Sequence, residues 1–174
     1  GINMSIEIET TNGPTIKFNG KYDDLIAIGD LYEHDLNKDY RKFVTPDSKE
    51  KYNSLEKEIL VDGLNEAPKV FYDDTNVIKV SGGHTRTKIL KTNGAKFVPV
   101  IWDQSLVGKN QWDISVVKSH LSDNSRVETP DINKFYSIET MVNEMHLTAK
   151  SDIEDICGRA GLSYLLYSKC RGLK

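Results

Sequence analysis

The sequence predicts an α/β (α+β) fold: a small mixed sheet with helices, followed by an all-helical region. Three observations support this. Alternating apolar and polar residues near the start predict a hairpin, residues 77–102 read as strand, glycine turn, helix and strand, and the pattern from Asp131 onward is helical. A change in pattern near 123–131 divides the chain into predicted domains at 4–126 and 127–174.

The first elements are a hairpin, a loop and a helix. Residues 5–18 alternate around a Thr-Asn-Gly-Pro turn, which predicts two antiparallel strands. The segment Glu33–Phe43 is polar and is predicted to be a loop. A helix is predicted after Thr45, because Thr45 can cap it and Pro46 suits its first turn. Gly63 suits the left-handed position that follows a helix.

The next elements surround two adjacent glycines. Strands are predicted at Lys69–Tyr72, Val77–Val80 and Phe97–Trp102, with a helix over Thr85–Thr92 between the last two. A further helix is predicted at Ile114–Leu121. The remaining helices are predicted from the apolar spacing over residues 132–142, 152–160 and 162–170.

Composition limits the possible functions. The chain of 174 residues has a net charge of −3, so contact with nucleic acid would have to be confined to a local patch. The sequence contains no apolar run long enough to cross a membrane. Cys157 and Cys170 are far apart and form no metal-binding spacing, which favours a reducing, cytoplasmic setting.

The most informative segment is Ser81-Gly82-Gly83-His84-Thr85-Arg86. Two glycines between a strand and a helix allow a sharp bend and let a ligand approach backbone N–H groups at the positive end of the helix. Thr85 and Arg86 can add hydroxyl and bidentate contacts to phosphate, and His84 can donate a hydrogen bond or move a proton. A turn that serves packing alone is the alternative interpretation.

The order of segments around this turn resembles the N-terminal domain of ParB proteins. That family has a G-L-x-x-P-I segment, a strand, a G-E-R-R turn, a helix, a glycine and a V-P-V strand. The corresponding segments here are Gly63-Leu64 with Pro68, the turn at 83–86, Gly94 and Val98-Pro99-Val100. The stretches 37–41 and 123–126 are similar to the flanking N-P-x-Q-P-R and E-N-x-x-R motifs.

The turn departs from the family pattern at two positions. His84 replaces the acidic residue and Thr85 the first of the paired arginines, so only Gly83 and Arg86 keep their identities. The turn is also similar to the G-G-C-H-R of sulfiredoxin, but His84 occupies the position of the reactive cysteine, so the thiolate that sulfiredoxin chemistry requires is missing. Free-serine kinases of the same superfamily carry a related D-G-H-H-R turn.

The ParB resemblance implies a site for CTP or another nucleoside triphosphate, such as ATP, with Mg²⁺. Asp123 and Asn124 would hold the metal through oxygen ligands, which suits a hard cation. His84 and Asp123 are the catalytic candidates. A loop of Glu33, His34 and Asp35 could also supply a base or be a simple polar surface. The residues that would contact the nucleotide are Gly82, Gly83, His84, Thr85, Arg86, Asn124, Arg126 and Arg41.

The C-terminal pattern is typical of a helix-turn-helix, with the turn at Gly161 and with Leu166 and Cys170 packing back onto the first helix. In DNA-binding cases the second helix enters the major groove. A helical hairpin that only packs or dimerises is the alternative. The predicted DNA-binding residues are Ser163, Tyr164, Tyr167, Lys169 and Arg171.

Three functions remain open. The first is a DNA-associated nucleotide switch of the plasmid or phage partition or regulation type, acting as a homodimer, with or without hydrolysis of its nucleotide. The second is an ATP-dependent small-molecule kinase or phosphotransferase, or a nuclease, on the same scaffold. The third is a binding module without catalysis.

Overall fold

A computed structural model describes residues 2–11, 13–40, 42–124 and 129–173, without the side chains of residues 2–4, 40, 123 and 124. The chain forms two compact units. The first comprises Gly1–His34 and Lys49–Asn110, and the second comprises Asp35–Ser48 and Gln111–Lys174. The second unit therefore includes two segments that the sequence placed in the first domain. A boundary at 126/127 for independent folding stays a prediction.

The first unit contains a hairpin and a separate five-stranded sheet. The hairpin pairs β1 (Ile2–Ile8) with β2 (Ile16–Tyr22) in antiparallel register, as predicted, although β1 begins before the predicted domain boundary at Met4. The sheet has the order β3-β7-β5-β6-β4. Its strands are β3 (Asp24–Ala27), β4 (Leu31–Tyr32), β5 (Lys69–Tyr72), β6 (Ile78–Gly82) and β7 (Phe97–Trp102).

This sheet is mixed. The pairs β3–β7 and β5–β6 are antiparallel, whereas β4–β6 and β5–β7 are parallel. The mixed sheet and the helices confirm the predicted α/β fold class. The described residues form the helices α1 (Leu36–Tyr40), α2 (Pro46–Asp62), α3 (His84–Thr92), α4 (Ile114–Asn124), α5 (Asp131–Glu144), α6 (Lys150–Ala160) and α7 (Tyr164–Gly172).

The core of the first unit is formed by the inward faces of the hairpin and the sheet together with apolar residues of α2 and α3. Ile59 of α2 and Ile89 and Leu90 of α3 are almost fully buried in it. Since α3 is held by its own apolar face, its first turn has a fixed position at the end of β6. The strand residues of this core include Ile8, Ile16, Phe18, Val70, Val80, Val98 and Val100.

The second unit has a core of its own, built from α1, α4, α5, α6 and α7. The predicted loop at 33–43 is wrong in part, because Leu36–Tyr40 is a helix. Its Leu36 is fully buried with Phe135 and Ile138 of α5, a contact between residues far apart in the sequence. Among the described residues, no helix has the length and apolar character needed to span a bilayer.

The start of α2 matches its predicted cap. The Ser48 N–H donates to Thr45 Oγ1 over 3.1 Å, and the Thr45 N–H donates to Ser48 Oγ over 3.0 Å. These reciprocal bonds satisfy backbone donors that a helix leaves unpaired at its N-terminus. At the other end, Gly63 has φ +96°, the left-handed conformation expected after the helix.

Candidate functional site

The glycine turn joins β6 directly to α3. Gly82 is the last residue of β6, and Gly83 is the N-cap of α3 with φ +83° and ψ +34°. This left-handed conformation favours glycine. A Cβ at Gly83 would also lie 3.1 Å from Pro68 Cα and 3.3 Å from Pro68 Cβ. Both the backbone conformation and the close approach of Pro68 therefore require glycine here.

The first turn of α3 is suited to an anion. No side chain caps it, and it contains no acidic residue. The Gly83 carbonyl accepts the Thr87 N–H at 3.0 Å and the Thr87 hydroxyl at 2.9 Å, so Thr87 is engaged inside the helix. The positive end of the helix dipole lies at this turn. Thr85 is half-buried in it.

Ser81 adds a buried hydroxyl next to the turn. It is 1 % exposed, and its Oγ has no hydrogen-bond partner among the described residues. A buried hydroxyl without a partner costs free energy, and such groups are rare in folded proteins. The position immediately before the two glycines places this polar atom beside the strand-to-helix junction.

His84 is more deeply involved in the fold than its sequence context suggests. His84 is buried, at 2 % exposure, and therefore packs inside the first unit. Its Nε2 accepts the His34 backbone N–H over 3.4 Å. An acceptor Nε2 places the proton of a neutral imidazole on Nδ1. A role of His84 in contacting phosphate or moving a proton stays a prediction.

Arg86 lies at the surface of the same turn. Its side chain is 36 % exposed and its Nη2 is 3.7 Å from Glu66 Oε2, on a side chain that is 62 % exposed. Ion pairs between exposed groups contribute about 0–1 kcal/mol. The guanidinium is therefore held loosely by its present partner.

The acidic loop that follows β4 lies partly next to the glycine turn. The His34 to His84 hydrogen bond brings residue 34 to the start of α3, and the His34 side chain is 1 % exposed. Glu33 is exposed. Asp35 accepts a hydrogen bond from Gln111 Nε2 at 2.8 Å within the second unit. A base in this loop stays a prediction.

Several residues implied by the ParB resemblance lie outside the part of the chain that the structure describes. Arg41 and Arg126 lie outside the described residues. Asp123 and Asn124 end α4, and the structure describes their backbone but not their side chains. Among the described side chains, no group of three or more His, Cys, Asp or Glu is arranged so that it could hold a metal ion. The proposed Mg²⁺ ligands therefore stay predictions.

Helices α6 and α7 have the predicted arrangement of a helix, a glycine turn and a second helix. Gly161 ends α6 with φ +80°, and the Leu162 N–H donates to the Cys157 carbonyl at 3.0 Å. Ser163 caps α7 by accepting the Leu166 N–H at 3.1 Å. These bonds give both helices well-defined ends at the turn.

The predicted inward face of α7 is right only in part. Cys170 packs against the core, as predicted. Leu166 is 40 % exposed and does not pack back, whereas Tyr167 is 1 % exposed and lies in the core. The prediction that Tyr167 contacts DNA is therefore wrong, because its side chain has no surface to offer. The outer face of α7 includes Ser163, Lys169 and Arg171, which are exposed.

Glu139 of α5 is a residue that sequence reasoning missed. Its side chain is 11 % exposed, and its Oε1 accepts the Tyr167 hydroxyl at 2.6 Å and lies 3.6 Å from Arg171 Nε. Burial, followed by the hydrogen bond to Glu139, raises the pKa of Tyr167, so the phenol remains a donor. The sequence signal that could have pointed to Glu139 is its position within the apolar stripe of α5, among Phe135, Ile138 and Val142.

Structural comparison finds ParB proteins. The C-terminally truncated chromosome-partitioning protein ParB from Caulobacter crescentus, complexed to the centromeric parS site, is 17% identical with a TM-score of 0.43, over 81% of this chain and 66% of that chain. The same protein complexed with CTP-gamma-S is 15% identical with a TM-score of 0.43, over 80% and 71%. A Pnob8-like ParB-N domain is 15% identical with a TM-score of 0.45, over 82% and 65%.

The chain thus spans slightly less than two thirds of the first of these structures. No protein-family model and no curated protein matches it. The solved structures belong to the family that the motifs around the glycine turn resemble, and the likeness concerns the fold.

Proposed function

We propose that this chain is a ParB-like, DNA-associated protein that binds a nucleoside triphosphate, CTP or another, with Mg²⁺ at the glycine turn. One observation carries the nucleotide part of the proposal. The first turn of α3 follows two glycines, has no side-chain cap and contains no acidic residue. Backbone N–H groups at such a helix start form a site for phosphate.

Arg86 supports a phosphate ligand rather than a structural ion pair. A phosphate group offers several charged oxygens to the planar guanidinium, which can then form two parallel hydrogen bonds. The exposed Glu66 at 3.7 Å provides a much weaker partner. An incoming phosphate would therefore displace Glu66 at little cost. Thr85, in the same turn, would add a hydroxyl donor.

Calorimetric titration of CTP, ATP and GTP with Mg²⁺ tests the nucleotide site. We expect Arg86→Ala to weaken binding about 10- to 100-fold, the effect of losing a charged hydrogen bond. Lys91→Ala is the matched control, because Lys91 is exposed in the last turn of the same helix. Preference for CTP supports a ParB-type switch. Absence of binding by the unaltered chain, or equal losses in both variants, would refute the site.

The DNA part of the proposal concerns the outer face of α7. Lys169 and Arg171 supply the charges, and Ser163 and Tyr164 stand at its N-terminal end, where a recognition helix contacts bases. Lys169→Ala should weaken retention on duplex DNA at moderate salt, whereas Lys57→Ala, which removes an exposed lysine of α2, should not. Equal retention of the unaltered protein, Lys169→Ala and Lys57→Ala would contradict this assignment.

A switch also requires a change in self-association. The homodimer inferred from the ParB resemblance is part of the proposal, and α7 carries Leu165 and Leu166 on its surface, 67 % and 40 % exposed. Light scattering of the full chain, with and without CTP, Mg²⁺ and DNA, measures the mass directly. A monomer under every condition would exclude the homodimer.

A phosphotransferase is the second candidate. The observation that favours it is the contact between His34 and His84, which brings the loop after β4 to the glycine turn. A base near a bound triphosphate would need such a position. ATP consumption that depends on a small hydroxylated substrate, and is lost in Glu33→Gln, would support this function. Consumption that is independent of any added substrate would exclude it.

A further inference from the structure

Two polar contacts from α5 hold the turn at Gly161 and the second helix, α7, on their inward-facing side. Lys134 Nζ donates to the Gly161 carbonyl at the turn over 3.3 Å. Glu139 Oε1, on the same helix, accepts the Tyr167 hydroxyl and lies 3.6 Å from Arg171 Nε. Helix α5 therefore contacts both the turn and the second helix through side chains of defined chemistry.

Glu139 is buried more deeply than an ordinary surface carboxylate. Its side chain is 11 % exposed, while that of Arg171 is 52 % exposed. A buried carboxylate needs donors to offset its lost hydration. Tyr167 supplies one neutral donor, and Arg171 supplies the positive charge. The ion pair therefore biases the orientation of an otherwise flexible arginine, and more strongly than an exposed carboxylate would, because the nearly buried Glu139 is less screened by solvent.

The contact leaves most of the guanidinium available. Arginine carries five N–H donors, and the Nε edge faces Glu139. The two Nη groups remain to meet a ligand from the exposed side. An arginine already held by a carboxylate loses less side-chain entropy when it binds a phosphate or a base edge.

We infer that Glu139 is a positioning residue for DNA recognition: it orients Arg171 on α7 while anchoring the same helix through Tyr167. This inference rests on the proposed DNA-binding function. Glu139 does not itself touch DNA. It acts through Arg171, and its negative charge opposes DNA at long range, so its effect must be separated from a general charge effect.

A double-mutant cycle makes that separation. Binding of a fluorescein-labelled mixed-sequence duplex to the full chain is measured for the unaltered protein, Glu139→Gln, Arg171→Ala and the double variant. The Glu139→Gln substitution keeps an acceptor for Tyr167 and the side-chain volume, but removes the charge. Glu144→Gln, which alters an exposed glutamate of the same helix, measures the effect of removing a charge alone.

We expect Glu139→Gln to weaken binding about three-fold or more relative to Glu144→Gln, and to have no such effect when Arg171 is alanine. Additive effects would overturn the inference. Tighter binding of Glu139→Gln that depends on Arg171 would also overturn it, because the carboxylate would then compete with DNA for the arginine.

A second measurement does not need DNA. The ¹⁵N relaxation of the Arg171 Nε–H group should show restricted motion in the unaltered protein and increased motion in Glu139→Gln, while thermal unfolding stays nearly unchanged. If the unaltered chain fails to bind DNA, the proposed DNA function fails. Equal motion of the Arg171 Nε–H group in the unaltered protein and in Glu139→Gln would independently overturn the orientation of Arg171 by Glu139. Should Glu139→Gln not fold, Arg171→Lys keeps the charge without the planar fork and should bind more weakly than the unaltered protein, although more tightly than Arg171→Ala; binding equal to the unaltered protein would overturn the inference.

Discussion

Gly83→Ala should destabilise the first unit by about 2–5 kcal/mol. The left-handed backbone at φ +83° costs an alanine about 1–2 kcal/mol. The new Cβ would also lie 3.1 Å from Pro68 Cα, a backbone atom that cannot turn aside. Relieving such overpacking costs a further 1–3 kcal/mol or so.

Gly108→Ala separates the two contributions. Gly108 has φ +77°, nearly the same conformation, but no atom within 4 Å of a Cβ built on it. It belongs to the same unit. Its replacement should therefore show only the backbone cost of about 1–2 kcal/mol.

Urea unfolding followed by circular dichroism measures both free energies. Nucleotide titration of the same proteins should show that Gly83→Ala loses binding, since a Cβ and a shifted turn both disturb the N–H groups of α3, while Gly108→Ala retains it. Equal destabilisation by the two variants would refute the argument from Pro68. Full nucleotide affinity in a folded Gly83→Ala protein would refute the site at this turn.

Three further outcomes follow from buried groups. Tyr167→Phe should lower stability by about 1.5–3 kcal/mol in urea unfolding, because a charged hydrogen bond to Glu139 is lost. Burial alone would raise the pKa of Asp73, but hydrogen bonds from Val77 and Thr75 outweigh it and lower that pKa below 3.8. Asp73 therefore stabilises the fold above the unfolded pKa, and the stability difference from Asp73→Asn should shrink as the pH falls below about 4. Burial, and secondarily Glu154, raises the pKa of Cys157 to about 11, so mass spectrometry after native alkylation at pH 8 should find Cys157 unmodified.

Elements whose signals are local could be predicted from the sequence. The strands Lys69–Tyr72 and Phe97–Trp102 have the predicted bounds, and the helix after the glycines begins one residue earlier than predicted, at His84. Turn residues and short apolar runs mark these elements within a few positions. The left-handed conformations of Gly83 and Gly161 follow equally from local chain geometry.

Features that depend on distant partners could not be predicted. Leu36 lies in a polar stretch, and its helix is stabilised by α5, about a hundred residues later. On α7, both Leu166 and Tyr167 could have faced inward. Tyr167 does so because Glu139 of α5 accepts its hydroxyl, an acceptor that no local pattern reveals. The burial of His84 likewise depends on the backbone of His34.

The charges of α6 and α7 would limit how strongly a single chain could hold DNA through the proposed DNA-binding face. On α6, the acidic Glu154 and Asp155 are paired with Lys150 and Arg159 at 3.7 and 3.2 Å, so these cations are partly committed. On α7, Lys169 and Arg171, the latter paired with Glu139 at 3.6 Å, can neutralise at most two phosphates, which corresponds to a salt slope of only about −1.8 in log K against log salt. Proteins that hold DNA firmly neutralise several times as many phosphates. Tight association of this chain with DNA would therefore require either a second copy of the chain or cations beyond α7. The proposed self-association controlled by nucleotide would supply the second copy.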